Sequence, residues 1–75
     1  MRIEYDLGAD AAYIYIVDDI KKAEVNKTYL CDPNETQGMI NLDFDSQGQL
    51  LGIEIMDASK KLPKEILESA IRIDK

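Results

Sequence analysis

Polar and apolar residues alternate with a period of two over most of the chain, the repeat of an extended strand with one covered face. In "MRIEYDL", Met1, Ile3, Tyr5 and Leu7 share one face, and Arg2, Glu4 and Asp6 share the other. "GAD" supplies a turn, with Gly8 for backbone freedom and Asp10 for local hydrogen bonding. "AYIYIV", Ala12 to Val17, is apolar or aromatic on both faces, which suits a central strand. After Asp18 and Asp19, a third and more exposed strand is predicted over about 22–31. There Ala23, Val25 and Tyr29 alternate with Glu24, Asn26 and Thr28, while Lys27 interrupts the apolar side. "DPNETQG" reads as a loop, opened by an Asp-Pro pair that resists helix and closed by Gly38. "MINLDFD" sends Ile40, Leu42 and Phe44 inward, and "LLGIEIM" does the same with Leu51, Ile53 and Ile55.

The period changes near the end. Pro63 suits a first helical turn, Ile66, Leu67, Ala70 and Ile71 fall on one helical face, and Glu68 stands four before Arg72. The predicted fold is therefore α+β: a single small domain built on an antiparallel β-meander of four to five strands (about 1–7, 12–17, 22–31, 39–45 and 50–56). One C-terminal helix, about 63–73, packs on one face.

"DFDSQGQLLGIE" adds a chemical question, because Asp43, Asp45, Gln47, Gly48 and Glu54 occupy the places of a helix-loop-helix calcium site. Such a site needs a helix on either side, and both flanks alternate as strands instead. A hairpin explains the same residues, with Asp45, Ser46 and Gln47 in the turn and Gly48 left-handed. Asp43 and Glu54 then face solvent on neighbouring strands.

With 75 residues the chain has room for one core, and so small a core makes self-association a natural supplement. The net charge is −6, and residues 32–57 hold acids without a single base. That balance repels phosphate backbones and disfavours nucleic acid, while it attracts a basic protein. Lys60, Lys61 and Lys64 form a basic cluster read as solvated decoration. "MRIEYDLG" offers no apolar run for a secretory signal and no stretch is long enough to cross a bilayer. The lone Cys31 excludes an internal disulfide and fits a reducing compartment, so a cytoplasmic location is expected.

Histidine is absent, which removes the commonest general base and zinc ligand. Cys31 has no histidine to activate it, and no phosphate loop or dinucleotide fingerprint is present. Acids on a solvated strand keep ordinary acidity, which does not suit catalysis. No enzyme activity and no cofactor are expected. What remains is the sheet face away from the helix. If the parity of Tyr13 and Tyr15 lies there, they stand among Asp43, Asp45 and Glu54 and offer an interaction face. If the twisted sheet curls over them, they form a second small core.

"YDLGADAAYIYI" and "NLDFDSQGQLLGIEIMDASKKL" resemble the YuzE-like family of small bacterial domains of unknown function. Leu7 replaces the proline usual after the opening Tyr-Asp. The resemblance implies a compact α+β domain without cofactor or disulfide, and no catalytic residue carries over. Asp6, Asp10, Tyr13, Asp57 and Ser59 match its pattern as turn and cap residues; Asp57 and Ser59 are expected to cap the following helix. Family members are similar to small proteins found beside toxin-like genes, which implies an antitoxin-like or other partner-binding role. The expected function is a non-enzymatic protein-interaction module, either a homo-oligomer or the binder of a toxin-like, basic partner. The alternative is metal or small-ligand binding through the acidic hairpin Asp43–Glu54.

Overall fold

The computed structural model describes residues 1–20 and 24–73. Its strands are β1 (Arg2–Asp6), β2 (Ala11–Tyr15), β3 (Lys27–Leu30), β4 (Ile40–Phe44), β5 (Leu50–Met56) and β6 (Ile71–Arg72). Three short helices accompany them among the described residues: α1 (Pro33–Thr36), α2 (Ala58–Lys61) and α3 (Lys64–Ser69). The fold is α+β, on one sheet of order β3-β4-β5-β2-β1-β6. All neighbours are antiparallel except β1 and β6, which run parallel.

This order corrects the expected meander, in which β2 would neighbour β3. Instead β2 pairs with β5, Ala12 opposite Ile55 and Ile14 opposite Ile53. The reason is burial. β5 and β2 carry apolar residues such as Leu51, Ile55 and Ala12 and take the middle of the sheet, whereas β3 is exposed at all four residues and takes an edge. The third strand is also shorter than 22–31: it begins at Lys27, where the polar residue breaks the apolar parity, and positions 22 and 23 lie outside the described residues.

The single helix over 63–73 is likewise corrected. α3 stops at Ser69, Ala70 is extended, and Ile71–Arg72 form a sixth strand against Glu4 and Tyr5. Six residues of helix make few internal hydrogen bonds, and β-branched Ile71 and Ile73 favour strand. The outer edge of β1 gives them partners: Ile73 N–H donates to the Tyr5 carbonyl at 3.0 Å. Glu68 and Arg72 are therefore not one helical turn apart.

The "DPNETQG" loop contains α1, begun by Asp32, whose side chain accepts from Asn34 N–H at 2.9 Å. Lys61 is not solvated decoration, since its ammonium donates to the carbonyls of Thr36 and Gln37 and closes the far end of α1. α2 and α3 lie on one sheet face over a core of Tyr5, Ala12, Ile55 and Ala58, against which Ile14, Ile53, Leu62, Leu67 and Ala70 pack. No described helix is long and apolar enough to cross a membrane.

Candidate functional site

Strand parity puts Arg2, Glu4, Tyr13, Tyr15, Gly52, Glu54, Asn41, Asp43 and Thr28 on the face opposite the helices. Tyr13 sits opposite Glu54 on β5, and Gly52 sits opposite both Tyr15 and Asp43. A Cβ at Gly52 would lie 2.6 Å from Cζ of Tyr13, so the missing side chain is what lets that ring lie flat across β5. From there the Tyr13 hydroxyl donates to Oδ2 of Asp43 on β4, and Thr28 on β3 donates to Oδ1 at 2.6 Å.

The other half of this layer is tied in the same way. Tyr15 donates to Oε1 of Glu4 at 3.0 Å, and Arg2 donates to Oε2 at 3.1 Å. The Arg2 guanidinium also stands 3.9 Å over the Tyr15 ring. Tyr13 and Tyr15 meet at 4.6 Å between ring centres, tilted by 55°. Asn41 donates to Glu54 at 2.9 Å.

Burial, then the hydrogen bond to Asp43 and the carboxylates nearby, pushes the Tyr13 phenol well above its usual range. Burial and the bond to Glu4 push Tyr15 up as well, with Arg2 opposing. Both phenols stay protonated at neutral pH and act as donors, not bases.

Of the five residues expected to form a surface, Tyr13, Tyr15, Asp43 and Glu54 share this face. Asp45 does not. It belongs to the β4–β5 turn, where Oδ1 accepts from the backbone N–H groups of Gln47 and Gln49, each at 2.9 Å. Gly48 is left-handed at φ 79°, and the flanks of the turn are the antiparallel strands β4 and β5. The acidic segment is thus a hairpin rather than a helix-loop-helix. Asp43, Asp45 and Glu54 all spend carboxylate oxygens on internal hydrogen bonds. Among the described residues, no group of three or more Asp, Glu, Cys or His is placed to hold a metal ion.

Two arrangements escape the strand pattern. The first joins the β1–β2 turn to α2. Asp10 accepts from Tyr5 at 2.7 Å, from Ser59 Oγ at 2.7 Å and from Ser59 N–H at 2.9 Å. Asp10 thus serves the start of α2 from 49 residues away, whereas Asp57, the adjacent residue expected to cap, makes no side-chain cap bond. The hydrogen bonds from Ser59 and then Tyr5 hold the Asp10 carboxyl below its usual range. The sequence marks Asp10 as a turn residue with local hydrogen bonds; the turn is there, with Asp10 left-handed at φ 51°, but its carboxylate reaches Ser59 instead.

The second is on the helix-bearing face. After β5 the chain runs through α2 and α3 towards the outer edge of β1, so it covers that half of the sheet, and no described helix packs on the β3–β4 half. Tyr29, Leu42 and Phe44, with Asn26, Lys27 and the turn residues 45, 46 and 48, line an open groove of about 560 Å³ there. Leu42 and Phe44 point inward by parity, as expected, yet no described helix seals them.

No curated protein and no solved structure matches the chain. A family model described as a protein of unknown function, DUF2283, matches residues 2–59, from the first strand through the start of α2. The match includes Tyr5, Asp10 and Ser59, whose hydrogen bonds lock the first turn to that helix, and it covers most of the chain: the protein belongs to the DUF2283 family.

Proposed function

We propose that this domain is a non-enzymatic, cytoplasmic protein-interaction module, whose contact is the β3–β4 half of the helix-bearing face, where no described helix packs, together with the edge of β3. The observation that carries this reading is the groove lined by Tyr29, Leu42 and Phe44, next to an edge strand exposed at all four residues. The tyrosine face supports a different role: its phenols and carboxylates are hydrogen-bonded to one another, which suits a stiff sheet more than a docking site. The YuzE-like resemblance and a net charge of −6 fit an antitoxin-like domain whose outer surface attracts a basic protein.

A photo-reactive phenylalanine analogue placed at Tyr29 tests the contact in living cells. Irradiation is expected to yield a protein–protein adduct from position 29 and none from Glu65, which is exposed on α3. Recovery of uncrosslinked chain alone from position 29 overturns the reading.

A further inference from the structure

Resting on the interaction-module reading, we infer that the occupant of this surface is a second copy of the chain, joined antiparallel through β3 about a two-fold axis at Tyr29. The two edges of the sheet differ. β6 is two residues long and offers little template, whereas β3 runs Lys-Thr-Tyr-Leu without proline or an acidic residue, and no described strand lies beyond it. Tyr29 and Leu30 are 51% and 63% exposed.

The backbone fixes which registers are open. Cys31 N–H donates to Ile40 O at 2.9 Å. Antiparallel alternation then turns Tyr29 inward to β4 and leaves the N–H and C=O groups of Thr28 and Leu30 facing the free edge. A two-fold partner must bond to those groups, so the axis falls at position 28, 29 or 30. An axis at Thr28 sets Glu24 opposite the second copy's Asp32, acid against acid. An axis at Leu30, the last residue of the strand, wastes most of the ladder.

The axis at Tyr29 pairs Thr28 with the second copy's Leu30 at both ends. It places the two Tyr29 rings side by side beside both grooves as a non-hydrogen-bonded pair, the closer kind. Lys27 comes opposite the second copy's Cys31 and Asn26 opposite its Asp32, twice, so no like charges face each other across the paired strands of two otherwise acidic chains. A stable dimer needs about 600 Å² from each copy, roughly a ninth of the 5275 Å² surface. Tyr29 and the groove walls on one sheet face, and Leu30 on the other, flank the pairing edge and supply it.

Sedimentation of the purified chain over a concentration series is expected to show a monomer–dimer equilibrium. Tyr29→Glu sets two carboxylates face to face on the axis and is expected to weaken the dimer roughly tenfold or more, with the melting profile of the monomer kept. Cys31→Ser with Tyr29→Cys should crosslink on oxidation by diamide, since Cα atoms of a non-hydrogen-bonded pair stand about 4.5 Å apart, within disulfide reach. Cys31→Ser with Asn26→Cys should not, its two thiols lying about 20 Å apart. A monomer at every concentration, or crosslinking at 26 and not at 29, overturns the self-pairing. In the first case, an in-cell adduct of position 29 with a different protein leaves the interaction-module reading standing alone.

Discussion

The ring of Tyr13 lies across Gly52 and carries its hydroxyl over the whole of β5 to Asp43 on β4. Three consecutive strands are thereby joined by one side chain, and Thr28 extends the tie to a fourth. Glycine inside a strand ordinarily lowers stability, so Gly52→Ala would be expected to help by about 0.5–1 kcal/mol on backbone grounds. Here the sign reverses. The new methyl meets the far end of the Tyr13 ring, which must swing away and release Asp43, at a net cost of about 1–2 kcal/mol in urea unfolding. In a Tyr13→Ala background nothing is left to displace, and the same change should become neutral or favourable. A Gly52→Ala penalty that persists without the ring would show that the clash lies elsewhere.

Alkaline pH should act on the same layer. Tyr13 and Tyr15 have raised pKa values in the fold, so the folded chain keeps protons that the unfolded chain gives up. Their contribution is therefore complete below the unfolded tyrosine value, about 10, and is lost as pH rises beyond it. Ultraviolet titration is expected to show Tyr13 and Tyr15 ionising late, followed by or coincident with unfolding. In Tyr13→Phe the alkaline unfolding midpoint should move to higher pH relative to its own neutral stability. Ionisation of Tyr13 and Tyr15 near pH 10 with the fold intact would contradict half-buried phenols that act only as donors.

Asp10 makes the opposite prediction at the acid end. Its carboxyl is held down by hydrogen bonds from Ser59, first, and Tyr5, so its stabilising effect is full above the unfolded aspartate value, about 3.9, and fades as pH falls through the lower folded one. Asp10→Asn keeps a side chain that tolerates the left-handed backbone, φ 51°, while weakening its acceptors. The variant should melt below the wild type at neutral pH, with the gap closing in acid. Amide exchange at Ser59 should quicken with it, because that N–H loses its anionic acceptor. Equal melting temperatures at pH 7 would mean that α2 is held by Lys61, the Ala58 backbone and packing rather than by the Asp10 carboxylate.

Period-two alternation carries much of the sheet because it reports which side chains share a face, and the residues of β1, β2, β4 and β5 keep the faces that alternation assigns. It does not report which strand lies beside which. The pairing of β2 with β5 depends on long-range burial of Ala12 against Ile55, not on anything local to either. Helical spacing at Ile66, Leu67 and Ala70 was legible too, but the competing partner for Ile71, the outer edge of β1, stands almost seventy residues upstream. In the layer beneath the tyrosines, Gly52 is where a ring comes close to the backbone, and only the register of β2 against β5 identifies that ring as Tyr13.

The acidic hairpin gives the last test. A calcium loop needs free carboxylate oxygens aimed at one point. Here Asp43 accepts from Tyr13 and Thr28, Glu54 accepts from Asn41, and Asp45 faces the amides of its own turn. Calcium would have to break these bonds and bend two paired strands towards one another. Titration to about 1 mM, the weak end of helix-loop-helix affinities, is expected to leave the amide resonances of Asp43, Asp45 and Glu54 in place. A saturable shift at all three would restore cation binding as the property of this segment. Asp43→Asn should then abolish that shift, whereas on the present reading it loosens only the tie to Tyr13 and Thr28.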